Sequence, residues 1–243
     1  MKTKLQPLRP FAESVGDDAA IVYNILLYAQ RLSARALVTN TFGNIAIRKR
    51  PKSGRNDVIY TKHRGISLEE MGEQHIVAID LETNELLLGS IRPSIGYQMH
   101  REIFRCRPDV HATIHLHPDD VIAYFSVMHG NEMCYVSNDT ALVMGNPPCI
   151  LPQSLNLELD ISPLAGFIQN TNCIVMPNHG ITTMGRNLSE AYHRAVSFSA
   201  EISRIIKSLL VSKSTGLPVS YTAPEEIEHM YRIGEEAIYG KTI

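Results

Sequence analysis

Apolar positions along the chain change their period several times. Over residues 17–36 (DDAAIVYNILLYAQRLSARA) they recur every three or four residues. That spacing predicts an amphipathic helix, with Asp17 and Asp18 at the end where the helix dipole favours carboxylates. Short apolar or alternating runs near 43–49, 57–62, 75–81 and 84–89 predict strands. The polar stretch RKRPKSGRN (48–56) joins the first two as a long hairpin loop. Ser67 and Glu70 stand at capping-box spacing and predict a short capped turn. A helix is expected over 95–107, a strand over 110–117 and a helix over 119–128. Further strands are expected near 133–136, 140–144 and 172–177, and helices over 159–170, 188–211 and 223–238. Strands and helices mix without strict alternation, which points to a layered α/β or α+β sheet. No repeat or linker divides the 243 residues, so one domain spanning 1–243 is expected.

Composition narrows the functions. The formal net charge of −2 gives no electrostatic footprint for nucleic acid or an anionic membrane. No apolar run approaches the roughly 18–20 residues that span a bilayer. The first residues, MKTKLQPLRPFAE, lack the apolar stretch of a signal peptide. Cys106, Cys134, Cys149 and Cys173 form no C-x-x-C pair, so neither a disulfide framework nor a cysteine zinc site is expected. A cytoplasmic, reducing location is the expectation.

The histidines change the picture more. In ATIHLHPDD, His115 and His117 lie two apart in a strand and project from one face. Such a pair, about 6–7 Å apart along the strand, can share one metal ion. His179, in VMPNHGITTMG, sits between a strand and a turn of small residues and is the best third ligand. Three imidazoles leave coordination positions open, as catalysis requires. The competing reading is an ordinary H-x-H strand. His111 shares the face by the same count, while His63, His75, His100, His129 and His193 are scattered.

Four segments, taken in order, carry a resemblance. They are NTFGNIAIR (40–48), RPSIGYQMHREIFRCRPDV (92–110), IHLHP (114–118) and PNHGITTMGRNLSEAYHRA (177–195). Together they resemble the class II aldolase/adducin family, the fold of fuculose-phosphate aldolase and ribulose-phosphate 4-epimerase, over about residues 20–210. The resemblance implies a three-layer α/β/α sandwich around a central, mostly antiparallel sheet. It implies a homotetramer with active sites between neighbouring subunits. It implies one divalent metal ion per subunit on His115, His117 and His179, zinc or manganese, with iron or cobalt also open. It places a small anionic substrate at Thr41, Gly43, Asn44 and Ser94.

The sequence also departs from that pattern. Family aldolases carry an acid/base glutamate two residues after Pro-Ser; here that position is Gly96, preceded by Ile95. Glu102 lies nearly two turns along the same predicted helix and is a poor substitute. The family's Thr/Ser-Gly element becomes TKHRG, where Lys62 and Arg64 can grip an anion or stand as solvated loop charges. His100 is the first candidate for proton donor, or else a structural helix histidine. Asp119 and Asp120 can support an imidazole, though capping by Asp119 suits its position better. Asp139 lies near where relatives place a residue that reaches a neighbouring subunit's site. Tyr231 and Tyr239 are candidates if the C-terminal segment closes over the site. The expected function is a divalent-metal-dependent carbon–carbon lyase. Its favoured reaction is decarboxylation of a hydroxylated aromatic or oxo-acid carboxylate through a metal-stabilised enolate, which needs no base at the leaving carbon. The alternatives are an aldolase or epimerase of a phosphorylated sugar, an iron(II) oxygenase, and a non-catalytic adducin-like module.

Overall fold

The computed structural model describes residues 18–239 except 52, 53, 129, 131 and 158, with only the backbone described at 235 and 239. The expectations for Asp17, His129 and the Tyr239 side chain lie outside the described residues.

Eight strands form one sheet: β1 (Asn44–Lys49), β2 (Val58–Lys62), β3 (Ile76–Asp80), β4 (Leu86–Leu88), β5 (Ala112–Leu116), β6 (Cys149–Ile150), β7 (Cys173–Met176) and β8 (Gly180–Gly185). Their order is β4-β3-β2-β1-β5-β8-β7-β6, and every pairing is antiparallel except β6 with β7. The helices are α1 (Asp18–Ser33), α2 (Tyr97–Cys106), α3 (Asp119–Val127), α4 (Asp139–Met144), α5 (Leu188–Thr215) and α6 (Pro224–Tyr239).

Period-two alternation splits the strands between two cores. Ile45, Ile47, Ile114, Leu116 and Val175 pack with Ile21, Ile25 and Leu32 of α1 and with Phe198 and Ile202 of α5. Ala46, Ile59, Val77, Ile79 and Ile174 pack with Tyr97, Met99, Ile103 and Phe104 of α2. Helices therefore cover both faces of the sheet, giving the α/β/α sandwich with a mostly antiparallel centre.

Local chemistry fixes the joints. The β1–β2 hairpin is pinned by the buried Arg48, whose Nε donates to Asp57 Oδ2 at 2.6 Å. The β3–β4 turn is an Asx-type turn in which Asp80 Oδ1 accepts from the Glu82 and Thr83 amides. Asn187 caps α5 by accepting from the Glu190 amide, and Gly216 ends it at φ +73°. Ser67 and Glu70 exchange the bonds of a short cap.

Four segments differ from the sequence reading. Residues 133–136 are irregular, and 140–144 belong to helix α4, not a strand. DTALVM is one helical turn and a half, too short to display a 3.6-residue period. The helix expected over 159–170 is only a 3₁₀ turn at Ser162–Gly166. GITTMG, read as a turn, is the interior strand β8.

Candidate metal centre

β5 carries Ala112, Ile114 and Leu116 into the α1/α5 core, so Thr113 and His115 point to the α2 side. His117 follows just beyond the strand end. Gly180 at the start of β8 lies close against this end of β5. A Cβ on Gly180 would come 2.2 Å from the Leu116 carbonyl oxygen, so only glycine fits this approach. Asn178 adopts a left-handed conformation at φ 62°, and the Asn178–Gly180 turn swings His179 beside the other two imidazoles.

One ligand atom from each of His115, His117 and His179 lies within 4.8 Å of the others. His115 Nε2 is 2.7 Å from His117 Nε2 and 3.3 Å from His179 Nε2. A tetrahedral ion with bonds of about 2.1 Å places its donors about 3.4 Å apart, so the cluster fits such an ion after a slight opening at His117. His115 Nδ1 donates to the Ile181 carbonyl at 3.0 Å and lies 2.9 Å from Thr182 Oγ1, which turns the Nε2 lone pair toward the cluster. Burial, then the neighbouring imidazoles, push His115 well below its ordinary pKa. Burial, then His179 and Lys62, push His117 down to about 4. Both rings are therefore neutral near pH 7, the form a metal needs. Among the described residues no carboxylate or thiolate joins this cluster.

The remaining expected residues fall into three groups. Asn44, Ser94 and His100 form one buried chain beside the histidines. Thr113 Oγ1 donates to His100 Nδ1 at 2.6 Å, His100 Nε2 donates to Asn44 Oδ1, and Asn44 Nδ2 donates to Ser94 Oγ at 3.0 Å. Asn44 fills the space beside Gly96: a Cβ on Gly96 would stand 3.0 Å from Asn44 Nδ2 and 3.8 Å from His115 Cδ2. His100 is fully buried with both ring nitrogens engaged, and burial lowers its pKa to about 3. In this arrangement His100 holds the Asn44 carbonyl oxygen and the Thr113 hydroxyl.

Thr41, Gly43, Lys62 and Arg64 form the second group. Lys62 is 1 % exposed, and its Nζ donates to the Thr41 and Ile66 carbonyls, each at 2.6 Å. It ties the Thr41 and Ile66 backbone together, so it is neither a solvated loop charge nor a cation with its donors free. Arg64 lines a cavity of about 710 Å³ with Arg92, Ser90, Ser94, Ile95 and Gln98. Among the described residues no carboxylate lines that cavity. The larger cavity, about 960 Å³ beside Asp18, Lys49 and Tyr60, contains none of the histidines.

The third group lies elsewhere. Asp139 begins α4, bonded to Ser137 and ion-paired with Arg204 at 3.2 Å. Asp119 and Asp120 sit in the first turn of α3, where Pro118 is the cap residue and no side chain caps the helix. Tyr231 meets Tyr135, their hydroxyls 2.6 Å apart, and α6 packs on α4 through Ile227 and Ala141. Sequence reasoning missed Arg92, Thr113 and Thr182. Thr113 alone left a signal, two residues before His115 on the same face. It also missed Phe42, stacked on His117 with ring centroids 5.5 Å apart.

The fold is an α/β/α sandwich with three clustered imidazoles, able to hold a metal ion, at the end of its central strands. Residues 24–203 match the model of the Class II Aldolase and Adducin N-terminal domain, and the chain belongs to that family. It is 26% identical over 163 residues to an L-fuculose phosphate aldolase of Methanococcus vannielii, covering 65% of this chain and 80% of that one. It is 25% identical over 188 residues to a 5-deoxy-D-ribulose 1-phosphate aldolase of Bacillus thuringiensis, covering 76% and 84%. Among solved structures, an L-fuculose 1-phosphate aldolase superposes with a TM-score of 0.73 at 20% identity, covering 90% of this chain and 97% of that one. YgbL of Escherichia coli, described with aldolase, epimerase and decarboxylase as alternatives, gives 0.70 at 20% identity, covering 87% and 98%.

Proposed function

We propose that the chain, acting as one domain over 1–243, is a divalent-metal-dependent carbon–carbon lyase whose reaction is decarboxylation of a hydroxylated aromatic or oxo-acid carboxylate. The observation that carries this reading is the donor set: three imidazoles and, among the described residues, no carboxylate, with the Asn44 amide occupying the space beside Gly96. His115, His117 and His179 would hold the ion, whether zinc, manganese, iron or cobalt. A divalent ion bound there supplies a Lewis acid for the negative charge that develops as a bond to carbon breaks.

The chain's own groups then divide the work. Asn44, locked by His100 and Ser94, presents a fixed amide beside His115. Arg64 and Ser94, with Arg92, line an adjacent cavity suited to the substrate's anionic end. Thr41 and Gly43 form the loop that borders His117. Loss of CO₂ requires no base at the leaving carbon, and water can deliver the later proton. Asp139, exposed at the start of α4, would serve a neighbouring subunit's site in a homotetramer. A cytoplasmic location suits the free cysteines; among the described residues no helix is long and apolar enough to cross a membrane.

The names of the relatives favour a second reading, an aldolase or epimerase of a phosphorylated sugar, which needs an acid/base that the cluster lacks. The deciding experiment loads the protein with manganese, zinc or iron(II). It then measures CO₂, aldehyde and oxygen uptake with hydroxylated aromatic and oxo acids and with phosphorylated sugars. Metal-dependent CO₂ is expected. His117→Ala should lose both metal and product while its far-UV circular dichroism stays unchanged. Aldehyde without CO₂ would select the aldolase, and oxygen uptake with iron would select an oxygenase. A wild-type chain that binds no metal would leave the adducin-like module.

A further inference from the structure

Phe42 is an exposed aromatic ring in an unusual setting. It is 57 % exposed, yet one of its faces lies almost parallel to the His117 imidazole, with 10° between the planes and 5.5 Å between centroids. His115 is oriented through its Nδ1 by strand β8. His117, among the described residues, makes no hydrogen bond beyond its contact with His115; its ring lies against those of His115 and His179, and Phe42 stacks on it.

The loop around Phe42 is held on both sides. The Phe42 amide donates to the Thr39 carbonyl at 3.3 Å, and the Thr41 carbonyl, two residues on from Thr39, accepts from the buried Lys62. Gly43 follows at φ +76°, and a Cβ there would lie 3.1 Å from the His115 carbonyl oxygen. The loop backbone therefore rests directly on β5, which sets where the Phe42 Cα stands relative to His117. A second apolar side chain, Ile95, is 71 % exposed next to Gly96, whose Cα faces Asn44 and His115. An aromatic face stacked on a ligand histidine, on a loop whose backbone is held, is placed to meet a flat ligand that reaches the coordination positions.

We propose that Phe42 is a specificity-determining residue: its free face receives the flat, conjugated body of a substrate whose hydroxy-acid end reaches the metal ion. This rests on the metal-lyase reading above and names the substrate class within it.

The test uses the full chain loaded with cobalt(II), whose visible spectrum reports ligands at the ion. Three probes share one α-hydroxy-carboxylate chelating group: mandelate carries a phenyl ring, hexahydromandelate a saturated ring of similar bulk, and lactate a methyl. Mandelate is expected to bind roughly three- to tenfold more tightly than hexahydromandelate, the range that aromatic stacking supplies beyond area burial. Phe42→Leu should bring that ratio to one, and Phe42→Trp should preserve or raise it. A ratio of one in the wild type, or an unchanged ratio in Phe42→Leu, overturns the proposal. If Phe42→Leu does not hold cobalt, Phe42→Trp decides alone, and a ratio below that of the wild type overturns it. A wild-type chain that takes up no cobalt overturns the metal-lyase reading and this inference together. Uptake of cobalt without a preference for mandelate overturns this inference only.

Discussion

His100 illustrates how little a residue's type says about its role before its surroundings are known. A histidine beside a candidate metal site suggests proton transfer, but here the ring is the middle of the chain Thr113–His100–Asn44–Ser94. Replacing it by leucine strands the Thr113 hydroxyl and the Asn44 carbonyl oxygen, each a buried polar group costing about 1–3 kcal/mol. His100→Leu should therefore lower stability by about 2–4 kcal/mol and reduce turnover, whereas His100→Gln, which keeps a donor and an acceptor, should retain much of both. Urea midpoints and kcat on metal-matched samples would check this; equal losses in the two variants would refute the positioning role. Lys62 gives a pH-dependent counterpart. Burial lowers its ammonium from the ordinary 10.5 to about 8. Between those values the unfolded chain holds a proton that the folded chain has released, so stability rises with pH across that window, and below about 8 the cost of the buried charge is fully present. Lys62→Met removes this contribution while leaving the Thr41 and Ile66 carbonyls without their donor. Wild type should therefore gain stability relative to Lys62→Met between pH 8 and pH 10 in urea titrations. A constant difference would show that Lys62 does not change protonation there. The paired histidines were legible because a period of two is a backbone property. Phe42 and Thr182 were not, since only the three-dimensional pairing places them on the imidazoles.

At the scale of elements, most strands could be read directly because buried strands announce themselves by β-branched alternation, as in NIAIRK and IVAID. β8 could not. Its sequence, GITTMG, begins and ends in glycine, and its two threonines mask an interior strand that pairs on both sides. The glycines that hid the strand have a structural reason. Gly180 permits β8 to approach the end of β5, and that approach delivers His179. Gly180→Ala would put a methyl 2.2 Å from a backbone oxygen that cannot rotate aside. We expect a loss of about 3 kcal/mol or more, the size seen when a special backbone position is violated, together with loss of metal binding. Calorimetric titration with zinc beside thermal unfolding would check both parts. A variant destabilised but still binding zinc at full stoichiometry would mean that His179 is not placed by this contact. α4 was misread for the opposite reason: DTALVM is apolar enough for a strand and too short to show a helical period.

For the whole molecule, the sheet separates the candidate chemistry from the C-terminal helix. The histidines gather where β5 ends and β8 begins, whereas Tyr231 and Arg232 of α6 line a cavity with Gly185, at the other end of β8. Those ends are roughly 17 Å apart at the usual rise of an extended strand. α6 packs on α4 so closely that a Cβ on Gly234 would lie 2.1 Å from the Leu142 carbonyl oxygen. Gly234→Ala must therefore push α6 outward, uncovering Ile227 and straining the Tyr135–Tyr231 contact. The expected cost is about 2–4 kcal/mol of stability, as for other violations of a tight backbone contact. Within one subunit, no part of that cost should reach the histidines. Gly234→Ala should thus lower the unfolding midpoint yet bind one zinc per chain with unchanged affinity, the opposite of Gly180→Ala, which should lose both. If Gly234→Ala instead weakens zinc binding, the proposed assembly offers one explanation. In an assembly whose sites lie between neighbours, a helix remote from its own histidines can stand close to those of the next chain. Measuring zinc affinity and oligomeric mass on the same sample separates the cases. A fall in affinity that tracks loss of the oligomer assigns α6 to the neighbouring site, and a fall without it means that the sheet transmits the strain.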